Sequence, residues 1–197
     1  MKKLLIPLVC LIVLGAINLF PKSSDYDLYD KIIRLHILAN SNSEEDQALK
    51  LKVRDGMLDI VSSVLENCST KEEAEEVLKE NIPLLQEAAE QTLRDNGSSY
   101  PVSLSIDQET YPEREYEGLR LPSGEYCSLR IMIGEAEGKN WWCVLFPPLC
   151  VGSASGVKEE LISVGFTPDQ IGILTDTESP KYRIRFKILD IIGSIFS

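Results

Sequence analysis

Glu125-Tyr126-Cys127-Ser128-Leu129-Arg130-Ile131-Met132-Ile133 and Asn140-Trp141-Trp142-Cys143-Val144-Leu145-Phe146 are the two runs that decide the fold. Apolar side chains recur at every second position of the first, the period of a strand buried on one side, and the second is equally rich in strand-forming aromatic and β-branched residues. Gly134 to Lys139, polar and with two glycines, turns the chain between them. The two runs are therefore expected to pair as a hairpin, with Ile133 facing Trp141, Ile131 facing Cys143 and Leu129 facing Leu145. Pro147-Pro148 ends the second strand, because neither residue can donate a ladder hydrogen bond. One face then carries Cys127, Leu129, Ile131, Ile133, Trp141, Cys143 and Leu145, and this is the core side. The other carries Ser128, Arg130 and Met132 beside Trp142, Val144 and Phe146, where a one-sided sheet would be polar. Either a C-terminal helix covers this second face, or it is an apolar patch that docks a partner, with Arg130 placed to lie over a ring.

Upstream, Ile33, Leu35 and Ile37 alternate with Arg34 and His36, so Lys31 to Ala39 reads as a strand, ended by the turn-forming Asn40-Ser41-Asn42-Ser43. Ser43 and Asp46 have capping-box spacing and open a helix to about Glu66, with Leu49, Val53, Met57, Ile60 and Val64 as its apolar stripe. Thr70 and Glu73 form a second box. The helix it opens buries Ala74, Val77 and Leu78, then Leu85, Ala89 and Leu93, with a kink or restart at Pro83 and a stop at Asn96-Gly97. From Tyr100 the period returns to two through Val102, Leu104 and Ile106. Leu119-Arg120-Leu121 and the turn Pro122-Ser123-Gly124 lead into the strand at Glu125. Downstream, Val157 to Val164 suggests a short helix. Lys181 to Phe196 carries both a strand-like alternation and a helical spacing, and Ser179 as N-cap with Pro180 after it favours helix. The fold class expected is α+β: one N-terminal strand, two long helices, then a mostly antiparallel sheet with a C-terminal helix. Residues 1–20 form a signal or anchor segment, 21–30 a linker, 31–150 the α+β domain, and 151–197 a less regular extension packed on it.

The 197 residues carry a net charge of -11, with 31 acidic and 20 basic side chains, and no basic stripe interleaved with aromatics. Such a surface repels phosphate backbones, so nucleic acid is not expected as a partner. Lys2-Lys3 followed by the apolar run Leu4 to Phe20 is the pattern of an export signal. Cleavage and retention as a membrane anchor both remain open, and either places the body outside the cytoplasm. Cys10, Cys68, Cys127, Cys143 and Cys150 include no Cys-x-x-Cys pair, and His36 is the only histidine, so neither a metal site nor a cofactor is expected. In an exported domain a disulfide is the better reading. In the hairpin register Cys127 and Cys143 lie about 13 Å apart, too far to bridge, whereas Cys143 and Cys150 flank the Pro147-Pro148 bend and form the expected pair.

For catalysis the residues offer little. There is no Gly-x-Ser-x-Gly elbow and no His-Glu-x-x-His, and His36 on its strand is expected to be a hydrogen-bonded structural residue. The acidic runs Glu44-Glu45-Asp46 and Glu72 to Glu76 sit in first helical turns, where carboxylates stabilise the positive end of the helix dipole.

Three stretches resemble the stage II sporulation protein R family. They are Ile33 to Ser41 running into Glu45 to Asp55, Leu121-Pro122-Ser123-Gly124-Glu125-Tyr126, and Gly138-Lys139-Asn140-Trp141-Trp142-Cys143-Val144-Leu145-Phe146-Pro147-Pro148-Leu149-Cys150. With their spacing they cover about residues 30 to 150. The resemblance implies a signalling protein of endospore formation, made in the forespore and exported into the space between the two membranes. There it would activate a membrane-embedded aspartic protease, which removes the pro-sequence of mother-cell sigma factor E. It implies no catalysis by the chain itself. The residues alone leave open two other classes: an extracytoplasmic hydrolase using His36 with a nearby acidic residue, and a membrane-anchored envelope-binding module.

Overall fold

A computed structural model describes residues 26–116, 118–150 and 156–175, with the side chains of 26 and 27 excepted. A short helix α1 (Tyr26–Tyr29) precedes strand β1 (Ile33–Leu38). Helices α2 (Glu44–Leu65), α3 (Lys71–Glu80) and α4 (Ile82–Asp95) follow, then β2 (Val102–Tyr111), β3 (Arg114–Tyr116), β4 (Leu119–Leu121), β5 (Gly124–Ile133) and β6 (Asn140–Phe146). Helices α5 (Val157–Ser163) and α6 (Pro168–Thr175) end the described chain. The class is α+β, as expected. The C-terminal helix expected over Lys181 to Phe196, and the signal or anchor segment, lie outside the described residues. Among the described residues no helix is long and apolar enough to cross a membrane.

The helices begin and break where side-chain chemistry dictates. Ser43 Oγ accepts from the Asp46 amide at the head of α2, and Thr70 and Glu73 close a full reciprocal box at the head of α3. Pro83, which cannot supply the amide a continuous helix needs there, stands in the first turn of α4, so α3 and α4 are separate helices meeting at Asn81. The buried stripe of α2 is Val53, Met57, Val61 and Leu65, rotated about one position from the expected one. Leu49, Ile60 and Val64 are only partly buried at its margin.

The strand pairing corrects the expected hairpin. The main sheet has the order β2-β5-β1-β6, so β1 lies between β5 and β6, parallel to the first and antiparallel to the second. Strand β1 is buried along nearly its whole length, Arg34 and His36 included, and an interior position gives it hydrogen-bonded neighbours on both edges. The six-residue connection from Gly134 to Lys139 reaches across two strand spacings, roughly 10 Å, without strain. Leu35 aligns with both Leu129 and Cys143, and Ile37 with both Ile131 and Trp141. The register is thus two residues from the hairpin expectation. A shift of two preserves side-chain parity, so the expected faces survive with one exception.

The exception is Phe146. A bulge between Ile33 and Arg34 in the β1–β6 ladder aligns Ile33 with Phe146 but Arg34 with Val144. Phe146 therefore turns into the helix-side core with Leu145, instead of sharing the second face with Val144. That helix-side core joins Ile33, Leu35, Ile37, Leu129, Ile131 and Cys143 to the apolar stripes of α2, α3 and α4.

A polar clasp locks the β5–β6 connection. The buried Asp46 carboxylate accepts from Asn40 Nδ2 (2.9 Å) and Ser41 Oγ (2.6 Å), which fixes the turn after β1. Asn40 Oδ1 then accepts from the Glu135 amide and Asn42 Oδ1 from the Lys139 amide, while the buried Lys50 ammonium donates to the Lys139 carbonyl at 2.8 Å. The Gly138 amide donates to the Ala39 carbonyl, and a Cβ at Gly138 would collide with the Ser41 carbonyl. Close approach of two backbones is what requires glycine here.

Candidate functional site

The second face of the sheet is divided. Its lower half carries Arg34, Tyr111, Tyr126, Ser128 and Val144, all buried. A second layer covers it: Leu28 of α1, Leu119 and Leu121 of β4, Val157 and Leu161 of α5, and Ile171 and Leu174 of α6 join Tyr111, Tyr126 and Val144 in a second apolar cluster. Ser128 is satisfied by Tyr111 Oη at 2.6 Å. Beyond this layer the face opens around His36, Glu109, Arg130, Met132, Asn140 and Trp142.

Of the five residues assigned to docking from sequence, Arg130, Met132 and Trp142 are half-buried and border the open half. Val144 (2% exposed) and Phe146 (3%) belong to the two cores and cannot touch a partner in this conformation. The cation over the indole is also different from the one expected. Arg114, from β3, lies 4.2 Å from the Trp142 ring centroid, while Arg130 Nε sits 3.6 Å from Glu109 Oε1. Strand alternation placed Arg130 on the right face, but it could not foresee that a separate hairpin would bring Arg114 across it. Trp141, expected in the core, is half-buried at the core margin with Arg54 5.1 Å from its ring.

His36 joins three strands. Its Nδ1 meets Glu109 Oε1 of β2 and its Nε2 meets Asn140 Oδ1 of β6, each at 2.8 Å. Glu109 also accepts from Tyr111 Oη at 3.2 Å. Burial pushes the Glu109 carboxyl up, but its interactions with His36, Ser128 and Tyr111 together outweigh that, and the group is held below the ordinary carboxylate range. Burial likewise drives the Tyr111 and Tyr126 hydroxyls well above the phenol range, so both stay neutral. The arrangement has an acid–imidazole pair, but both ring nitrogens are occupied and the side chain is only 9% exposed. As built, it is a clamp. Glu109 and Asn140 were invisible as partners of His36 in sequence, since they lie 73 and 104 residues away.

Cys143 and Cys150 are joined, with Cα atoms 5.5 Å apart, closing the Pro147-Pro148 bend at the end of β6. Cys68 and Cys127 carry free thiols. Burial, with Glu75 nearby, pushes Cys127 up to about 11, which makes it a poor nucleophile. Among the described residues no three His, Cys, Asp or Glu side chains group as a metal site.

The family model for stage II sporulation protein R (spore_II_R) matches residues 29–155. The stage II sporulation protein R of Bacillus subtilis (strain 168) is 37% identical over 134 residues, which cover 66% of this chain and 60% of that protein. The chain thus spans less than two thirds of that relative's length. No solved structure matches. The matched span runs from α1 to just beyond the disulfide and includes β1, the clasp around Asp46 and the whole four-stranded sheet. This chain therefore belongs to the stage II sporulation protein R family.

Proposed function

We propose that this protein is an exported signalling protein of endospore formation, which activates a membrane-embedded aspartic protease that processes the precursor of mother-cell sigma factor E. Family membership over residues 29–155 is the observation that carries this reading. The divided second face supports it, because half-buried Trp142, Met132 and Arg130 beside Arg114 make an aromatic, cationic border of the type protein interfaces use. The body acts in the space between the forespore and mother-cell membranes, delivered or held there by the N-terminal apolar run. The test is reconstitution in a non-sporulating host. The chain, the protease and the sigma-factor precursor are expressed together, and processing is read by the size of the precursor. Processing that proceeds equally without this chain overturns the proposal.

A second reading, an extracytoplasmic hydrolase, draws on the His36–Glu109 pair. It requires Asn140 to release Nε2 and a substrate to reach a buried ring. Turnover of an ester or peptide substrate by the purified chain, lost in Glu109→Gln, would favour it.

A further inference from the structure

Among the described residues four buried side-chain nitrogens have no hydrogen-bond partner: Nε and Nη1 of Arg34, Nε of Arg130 and Nε1 of Trp142. All four are donors and all belong to residues of the second face. Other buried polar side chains among the described residues are satisfied, His36, Asp46, Lys50 and Ser128 among them. Arg130 Nε lies 3.6 Å from the Glu109 carboxylate, whereas Arg34 Nε and Nη1 have no hydrogen-bonding oxygen.

Arg34 is the extreme case. It is fully buried, yet among the described residues its guanidinium meets no carboxylate; a neutral phenol, Tyr116 Oη, takes Nη2 at 2.6 Å. Ring faces supply the rest, with Tyr111, Tyr126 and Tyr116 centroids 3.9, 5.2 and 5.9 Å from Cζ. A buried guanidinium ordinarily has a carboxylate opposite its fork, because desolvating the charge is costly and bidentate pairing repays it. The Tyr111 ring packs 6.0 Å from the Trp142 ring, so the unpaired Arg34 and the unpaired indole nitrogen flank one aromatic side chain. Tyr116 belongs to β3, which pairs only with β4 in a two-stranded sheet separate from the main one. Of the residues over Arg34, Tyr116 is the one on an element that shares no ladder with the main sheet.

We propose that Arg34 binds a carboxylate carried by the docked partner, which displaces the Tyr116 hydroxyl from Nη2 and takes the Nε–Nη2 fork so freed. The proposal rests on the docking reading above and names its chemistry: an acidic side chain of the partner enters between Tyr111 and the β3–β4 hairpin. Arg114, exposed over the Trp142 ring, is a further cation that an incoming carboxylate can meet there, while Arg130 is already held by Glu109.

Acetate is the probe. Thermal melts of the full chain in acetate and in chloride, at equal pH and ionic strength, should differ by about 3 °C at tenfold excess over the acetate dissociation constant. Arg34→Met, similar in volume and uncharged, should lose that difference and should lower sigma-factor processing at least tenfold in the reconstituted host. No acetate shift in the wild type, an equal shift in both proteins, or full processing by Arg34→Met overturns the proposal. Should Arg34→Met not fold, Tyr116→Phe carries the test. It removes the competing oxygen, so the acetate shift must grow, and an unchanged shift overturns the idea. The melts need no protease, so a failed reconstitution counts against the signalling reading alone.

Discussion

Adjacent tryptophans separate two roles. Trp142 borders the open half of the second face under Arg114, whereas Trp141 lies at the margin of the helix-side core under Arg54. Trp142→Ala is expected to leave the fold intact and weaken docking by about 2 kcal/mol, roughly thirtyfold in affinity, visible as lost sigma-factor processing at normal protein level. Trp141→Ala should instead cost about 2 kcal/mol of stability, less than a fully buried tryptophan, and urea melts would register it with processing per folded molecule unchanged. His36→Ala should cost about 1–2 kcal/mol, because two hydrogen bonds joining β2, β1 and β6 are lost. A folded, abundant His36→Ala protein with no processing would place His36 in the contact surface. Asp46 makes a pH prediction. Hydrogen bonds from Ser41 and Asn40 hold its carboxyl below the ordinary value, so its contribution is fully present above about pH 4 and is lost as pH falls through the lowered folded value. The stability gap between wild type and Asp46→Asn should therefore narrow only below about pH 4.

At the level of elements, β6 has β1 as its neighbour in the sheet, and the Cys143–Cys150 bridge closes the bend at its far end. A bridge spanning seven residues in sequence constrains the unfolded chain by about 2.5 kcal/mol in the loop-entropy account. Cys150→Ser should lower stability by about that amount in urea without reductant, and reductant should bring the wild type down to the same level while leaving the variant unmoved. The clasp ties β1 through its turn to α2. Asn40, Ser41, Asp46 and Lys50 hold the connection that lets β6 pass over β1 and pair on its far side. Their chemistry is polar, but their work is structural.

For the molecule as a whole, the two cores differ in kind. The helix-side core is aliphatic and continuous, while the opposite one is a smaller cluster with Arg34 among tyrosine rings and a two-stranded hairpin over it. Under the proposed function, a partner that rearranges this layer can act without disturbing the main sheet. The proposed function also puts the body outside the cytoplasm. A reporter active only outside the cytoplasm, fused behind Ser197, should be active, and an inactive one beside an active cytoplasmic reporter would refute the topology.

Side-chain period and local chemistry determined most strands and helices (though not β3 or α6), the helix starts at Ser43 and Thr70, and which side of β5 and most of β6 faces the core. These features depend on neighbours a few residues away, and parity survives any register shift of two. Tertiary structure alone decided that β1 enters between β5 and β6. A strand's hydrogen-bonding edges are backbone, identical whatever the side chains, so local pattern cannot say which strand occupies them. The same limit hid the bulge that turns Phe146 inward, the meeting of His36 with Glu109, and the arrival of Arg114 over Trp142. Arg34 reads in sequence as an ordinary polar position on a half-buried strand. Only the second layer, built from residues up to 140 positions away, makes it a buried cation without a carboxylate.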